Sequence, residues 1–131
     1  MARFLRVALA FAVLLPVLPM GAQQAPSGAD RVRERYTKYE FRIPMRDGAR
    51  LFTSVYVPKD VSKRYPFLVT RTPYSVGPYG IDAYRASLGP SEEFQAAGFI
   101  FVYQDARGRY MSEGEFKQVR PHVPVKRGPQ D

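Results

Sequence analysis

The chain has 131 residues, a formal net charge of +8, no cysteine and a single histidine. At this length one domain is expected rather than two independent cores. The lack of cysteine excludes disulfides, a thiol nucleophile and Cys-ligated metal centres, and one histidine excludes multi-histidine metal sites. The basic excess raises the possibility of a nucleic-acid or other polyanionic partner, but no nucleic-acid-binding motif is present. We therefore expect no nucleic acid and assign the charge to a solvated surface, with polyanion binding as the alternative.

The first segment predicts an export signal. Arg3 and Arg6 precede an uncharged apolar stretch over residues 7–20, and small residues follow it. This order is typical of a secretory signal peptide with cleavage after Ala22, so residues 1–22 are expected to be removed and the protein exported to the periplasm or the medium. A membrane anchor would need about 20 apolar residues uninterrupted by proline. No stable membrane span is therefore expected after cleavage.

The next segments predict a short polar lead-in and a hairpin. Residues 23–38 are polar and basic, and we expect them to be flexible. Residues 39–44 (YEFRIP) and 51–57 (LFTSVYV) have the alternation and the β-branched and aromatic content of strands. Asp47-Gly48 between them is a strong turn signal, so the two strands are expected to pair antiparallel.

A parallel βαβ unit is expected to follow the hairpin. Residues 66–70 (PFLVT) predict a strand buried on both faces, and residues 99–103 (FIFVY) predict another. Between them, residues 91–97 begin with a capping serine and end before Gly98, which is typical of a two-turn helix. One helix covers only one face of such a sheet, so the second face has no cover within this chain. Residues 39–116 therefore predict part of an α/β fold, and residues 117–131 an irregular proline-rich tail.

No serine lies in the G-x-S-x-G frame of an α/β-hydrolase nucleophile. Ser112 has Gly114 after it but Tyr110 where the first glycine belongs. His122 follows Pro121 and precedes Val123-Pro124, with no serine or acid placed to form a triad with it. Glu113 and Glu115 have the spacing of residues on one face of an extended segment, but a paired-carboxylate role would need a matching acid elsewhere. All four are interpreted as structural.

Two clusters at strand ends are stronger candidates. Tyr74 follows Pro73 directly after the third predicted strand, and strand carboxyl ends carry the site in parallel α/β sheets. Its hydroxyl could donate to an oxyanion, or the ring could simply pack at the sheet edge. Asp105 and Arg107 follow the fourth strand, where the two could pair to hold a loop over the sheet, in either a functional or a purely structural role.

These clusters resemble the amino-terminal part of the CocE/NonD hydrolases, a group of esterases and X-Pro dipeptidyl-peptidases. The matching segments are IPMRDGARLFTSVYVPKD (43–60), PFLVTRTPY (66–74) and AAGFIFVYQDARGRYMSEGEF (96–116). The resemblance implies the opening of an α/β-hydrolase fold, without a cofactor, in a serine hydrolase that forms an acyl-enzyme on a small-molecule ester or a peptide. It assigns Tyr74 as the side-chain donor to the oxyanion and Asp105, Arg107 and Gly108 as a supporting loop.

The family's serine elbow, aspartate and histidine have no counterpart in this sequence. We therefore expect an incomplete domain, an amino-terminal fragment of an exported hydrolase that is inactive by itself. The alternative from another functional class is a small exported binding module that reuses half of a hydrolase fold. The sequence does not distinguish peptidase from esterase and predicts no oligomeric state.

Overall fold

A computed structural model of the protein describes residues 25–118. Its elements are α1 (Gly28–Arg35), β1 (Tyr36–Pro44), β2 (Arg50–Pro58), β3 (Phe67–Thr72), α2 (Glu92–Ala97) and β4 (Ile100–Asp105). The four strands form one sheet in the order β1-β2-β4-β3. The first two pairings are antiparallel, and β3 pairs parallel to β4. This is the predicted hairpin followed by a βαβ unit. The predicted signal peptide, His122 and most of the predicted tail lie outside the described residues.

The hairpin turn forms where Asp-Gly predicts it. Met45 N donates to Ala49 O (2.8 Å), and Gly48 has φ +84°, a left-handed conformation that glycine adopts without a Cβ clash. From the turn, the two strands pair residue by residue, beginning with Pro44 opposite Arg50 and ending with Tyr36 opposite Pro58. In the βαβ unit, Gly98 ends α2 at φ +81°, and the chain enters β4 two residues later. Both glycines thus act at the positions that the sequence indicates.

The structure has a helix where the sequence predicts a flexible segment over residues 23–38. Ser27 caps α1: its Oγ accepts from Asp30 N (3.2 Å), and its own N donates to Asp30 Oδ2 (3.2 Å). Val32 and Tyr36, one helical turn apart, are both buried in the core. The capping box and these two anchors order the segment, although most of its residues are polar.

The core occupies one face of the sheet, under α1, α2 and the long loop of residues 73–91, which we call the tyrosine loop. Its fully or nearly buried members are Val32, Tyr36, Phe52, Tyr56, Val76, Leu88, Phe101 and Tyr103. Aromatic rings pack edge-on within it, for example Tyr56 against Tyr103 with 5.9 Å between ring centroids. In the described residues no helix is long and apolar enough to cross a membrane.

Lys38 carries a charge into this core. Its Nζ donates to three carbonyl oxygens of the tyrosine loop, each 2.8 Å away, those of Pro78, Gly80 and Ala83. Glu40 Oε1 lies 2.7 Å from the same nitrogen, and the Lys38 side chain is fully buried. These contacts offset the desolvation of the ammonium group, and they fix the course of the tyrosine loop over the sheet.

The opposite face of the sheet is largely uncovered in residues 25–118, although Leu51 and Thr53 of the central strand β2 are buried on that side. The prediction that β3 is buried on both faces is wrong: Phe67 is 67% and Val69 60% exposed, whereas the alternate residue Leu68 packs against the core. Tyr39 and Phe41 of β1 are also exposed on this side. The apolar composition of β3 suits a strand that is buried on both faces, but the described residues cover only one of them. This agrees with the expectation that one helix covers only one face of the sheet.

Candidate active site

Tyr74 lies two residues beyond the carboxyl end of β3. Its backbone N donates to Thr72 Oγ1 (3.1 Å), and its ring is 74% exposed. Within residues 25–118 its hydroxyl makes no hydrogen bond, so in this part of the protein the ring is not a packing residue of the sheet edge. The hydroxyl is accessible to a group that approaches the carboxyl end of the sheet.

Asp105, the last residue of β4, is completely buried and joins two loops. Its carboxylate accepts from Val76 N (3.2 Å) and the Tyr79 hydroxyl (3.0 Å) in the tyrosine loop, and from Met111 N (3.2 Å) in the loop that follows β4. Burial, together with the hydrogen bond to this carboxylate, raises the pKa of Tyr79. Asp105 therefore ties the segment just after Tyr74 to the end of β4.

The predicted pair between Asp105 and Arg107 does not form. Asp105 still belongs to the strand and points into the core, whereas Arg107 lies past the strand end. Arg107 instead forms a forked pair with Asp47 of the hairpin turn, with N–O distances of 2.6 and 3.1 Å. Hydrogen bonding from Arg107 lowers the pKa of Asp47. The RDG and DARG motifs, distant in sequence, are thus partners in space.

Gly108 closes the segment of residues 106–116, which we call the glycine loop. Its N donates to Glu113 O (3.0 Å), and its φ is +66°. A Cβ at this position would lie 2.6 Å from Gly114 O and would also overlap the backbone N of Phe116. Only glycine allows the two ends of the loop to approach this closely.

Ser112 is a structural residue. It is buried; its Oγ donates to Asp105 O (2.8 Å) and accepts from Phe52 N (2.9 Å). Glu113 pairs with Arg50, whose Nη2 lies 2.7 Å from its Oε1, and this contact lowers the pKa of Glu113. Both observations support the interpretation of these side chains as supports of the loop. Among the described residues no cluster of His, Cys, Asp or Glu could hold a metal ion.

Sequence reasoning missed two arginines that hold the tyrosine loop. Arg109 Nε donates to Pro73 O (3.1 Å), and Arg85 Nη1 donates to Val76 O (3.1 Å) and Gly77 O (2.7 Å). The position of Arg109 two residues after Arg107, in the same motif, could have indicated that it also supports the site. Nothing in the local sequence marks Arg85, because its partners are backbone carbonyls.

The mixed sheet, with its hairpin, its βαβ unit and polar side chains gathered at the strand ends, defines the class: it is the opening of an α/β-hydrolase-like fold. An α-amino acid ester hydrolase matches 85% of the chain at 34% identity and a TM-score of 0.56, the match covering 19% of that enzyme. An aminopeptidase from a marine sediment Thaumarchaeota archaeon matches 83% at 32% identity and a TM-score of 0.54, covering 18% of that protein.

The family model of the X-Pro dipeptidyl-peptidases (S15 family) matches residues 47–124. The chain belongs to this family. It is also 40% identical over 81 residues to the cocaine esterase of Rhodococcus sp. (strain MB1 Bresler), a match that covers 62% of the chain and 13% of the esterase. The CocE/NonD resemblance and the fold class are confirmed. The chain spans less than a fifth of the length of each of these relatives.

Proposed function

We propose that the chain provides the amino-terminal part of a serine-hydrolase domain, in which Tyr74 donates its hydroxyl to the oxyanion formed during cleavage of an ester or an amide. The observation that carries the proposal is the accessible Tyr74 hydroxyl, immediately after β3, on a backbone held from both sides. The names of the relatives support the reaction class, since they include two ester hydrolases and an aminopeptidase.

The proposed reaction is acyl transfer. A nucleophilic oxygen attacks the carbonyl carbon of a small-molecule ester or a peptide, and the carbonyl electron pair moves onto its oxygen. The Tyr74 O–H then donates to that oxygen, where negative charge develops in the transition state. Collapse of the intermediate expels the alcohol or amine, and water later releases the acyl group. Since no serine of this sequence lies in a nucleophile elbow, the nucleophile and its base come from residues outside the 131.

A fusion enzyme tests this role. The fusion joins residues 1–124 of this chain to the portion of Rhodococcus cocaine esterase that lies beyond the matched stretch. The rate of ester hydrolysis by the fusion is then measured. Tyr74→Phe should lower kcat by roughly 100-fold to 1000-fold, the usual effect of removing one oxyanion donor, with little change in KM. Tyr39→Phe, which removes the hydroxyl of an exposed tyrosine on β1, at the edge of the sheet opposite β3, is the matched control and should change neither constant. A soluble fusion that is inactive, or one whose activity is unchanged by Tyr74→Phe, would refute the proposal.

We further propose that the 131-residue chain hydrolyses nothing by itself and associates through its uncovered sheet face. Exposed Phe67 and Val69 lie on the edge strand β3, and such strands tend to aggregate. Turnover of p-nitrophenyl acetate by the purified chain that is abolished by Tyr74→Phe would contradict the first statement. A soluble monomer with a cooperative thermal transition would contradict the second.

We also propose that the protein is exported. The support is the order of a basic start, an apolar stretch over residues 7–20 and small residues around Ala22. Expression in a bacterial host should yield a secreted or periplasmic product that begins at Gln23, as Edman sequencing would show. A cytoplasmic product that retains Met1 would count against export.

A further inference from the structure

Two successive carbonyl groups just before Tyr74 are held by the glycine loop. Ala106 N donates to Thr72 O (2.9 Å), and Arg109 Nε donates to Pro73 O (3.1 Å). The Tyr74 hydroxyl makes no hydrogen bond of its own in residues 25–118. Its position therefore depends on the backbone that carries it, and Pro73 O belongs to the peptide group that joins Pro73 to Tyr74.

Arg109 is itself held firmly. Its guanidinium lies 5.0 Å from the ring centroid of Phe116 and 5.6 Å from that of Tyr110. Its backbone N donates to Ala106 O (3.0 Å), and its carbonyl accepts from Ser112 N (2.9 Å). In the described part of the chain no carboxylate pairs with its side chain, whose hydrogen bond goes to Pro73 O.

We propose that Arg109 is a positioning residue for Tyr74, an inference that rests on the proposed function. By holding Pro73 O, it fixes the peptide plane from which the tyrosine side chain extends. The hydroxyl is at the far end of that side chain, so a small rotation of the peptide moves the oxygen a long way. Oxyanion donors must lie about 3 Å from the developing charge, and displacement by about 1 Å costs on the order of 100-fold in rate.

A double-mutant cycle in the fusion enzyme tests the inference. Arg109→Met keeps an unbranched stem beside Phe116 but removes every donor. With Tyr74 present it should lower kcat roughly 10-fold to 100-fold and leave KM within about threefold. In the Tyr74→Phe background, where there is no hydroxyl to orient, the same change should lower kcat less than about twofold. Arg64→Met, which removes one exposed positive charge far from Tyr74, is the control and should be silent in both backgrounds.

The outcomes separate the two proposals. Equal losses of kcat from Arg109→Met in both backgrounds, or no loss with Tyr74 present, would overturn the positioning role while the oxyanion role stands. No effect of Tyr74→Phe would remove the oxyanion role and this inference with it. If Arg109→Met fails to fold, Arg109→Lys enters the same cycle. It keeps the charge and one donor group without the rigid planar fork, and should give a loss of about 3-fold to 10-fold that again disappears in the Tyr74→Phe background.

Discussion

Substitution of Gly108 tests whether the glycine loop depends on the close contact seen in the structure. Both Gly108 and Gly48 have left-handed backbones, with φ of +66° and +84°. Alanine at either position therefore carries the conformational cost of this region, about 1–2 kcal/mol. At Gly48 an added Cβ meets no atom within 4 Å, so this cost is the whole effect.

At Gly108 two further terms add to the conformational cost. The Cβ would overlap the backbone of Gly114 and Phe116, which cannot move aside as a flexible side chain does. Relief of the overlap costs about 1–3 kcal/mol by analogy with overpacking, and loss of the bond from Gly108 N to Glu113 O adds about 1 kcal/mol. The sum is about 3–6 kcal/mol, against 1–2 kcal/mol for the control.

The assay is urea inactivation of the fusion enzyme, with residual ester hydrolysis measured beside tyrosine fluorescence. Gly108→Ala should shift the midpoint well below that of Gly48→Ala. It should also lower kcat before unfolding, because the same loop carries Arg109. Equal midpoints for the two variants would refute the claim that the loop is closed by backbone contact at Gly108. A midpoint lowered strongly in Gly48→Ala but not in Gly108→Ala would show that the left-handed backbone, rather than steric overlap, sets the cost of alanine in these turns.

Three more outcomes follow from buried polar groups. Lys38→Met should destabilise the fusion by about 3–5 kcal/mol in urea, since it leaves the Glu40 carboxylate without its cation; an unchanged midpoint would contradict this. Arg107 lowers the pKa of Asp47 in the folded state, so the pair contributes its full stabilisation at pH values above the ordinary Asp pKa. That contribution disappears as the pH falls through the lowered pKa of Asp47 in the folded protein. The urea midpoint measured from pH 6 downward should therefore depend less on pH in Arg107→Met, and identical profiles would argue against the pair. Ser112→Ala should cost about 1–3 kcal/mol yet keep most of kcat; abolished turnover in a folded variant would make this hydroxyl catalytic.

Local patterns predict the parts of the fold that depend on neighbouring residues. The hairpin, its Asp-Gly turn, α2 with its terminal glycine and the parallel βαβ unit all form where the sequence indicates. These features require only alternation, turn chemistry and helix-end signals, and the longest of them, the βαβ unit, spans residues 67–105.

Long-range pairing of polar groups could not be predicted in the same way. Asp105 and Arg107 are two residues apart, yet one faces the core and the other reaches Asp47, 60 residues away. Lys38 looks like a surface lysine in sequence, but the loop supplies carbonyl groups that satisfy its charge in the core. The order of α1 was predictable in part, because Ser27 and Asp30 form a recognisable capping box.

Binding of a tetrahedral mimic tests the central claim most directly. An arylboronic acid forms a covalent tetrahedral adduct with a serine nucleophile and places an oxygen where the oxyanion develops. In the fusion enzyme, Tyr74→Phe should weaken this inhibitor roughly 100-fold while leaving KM for the ester nearly unchanged, because the hydroxyl contributes chiefly to the tetrahedral species. Equal inhibition constants for the parent fusion and its Tyr74→Phe variant would contradict the account.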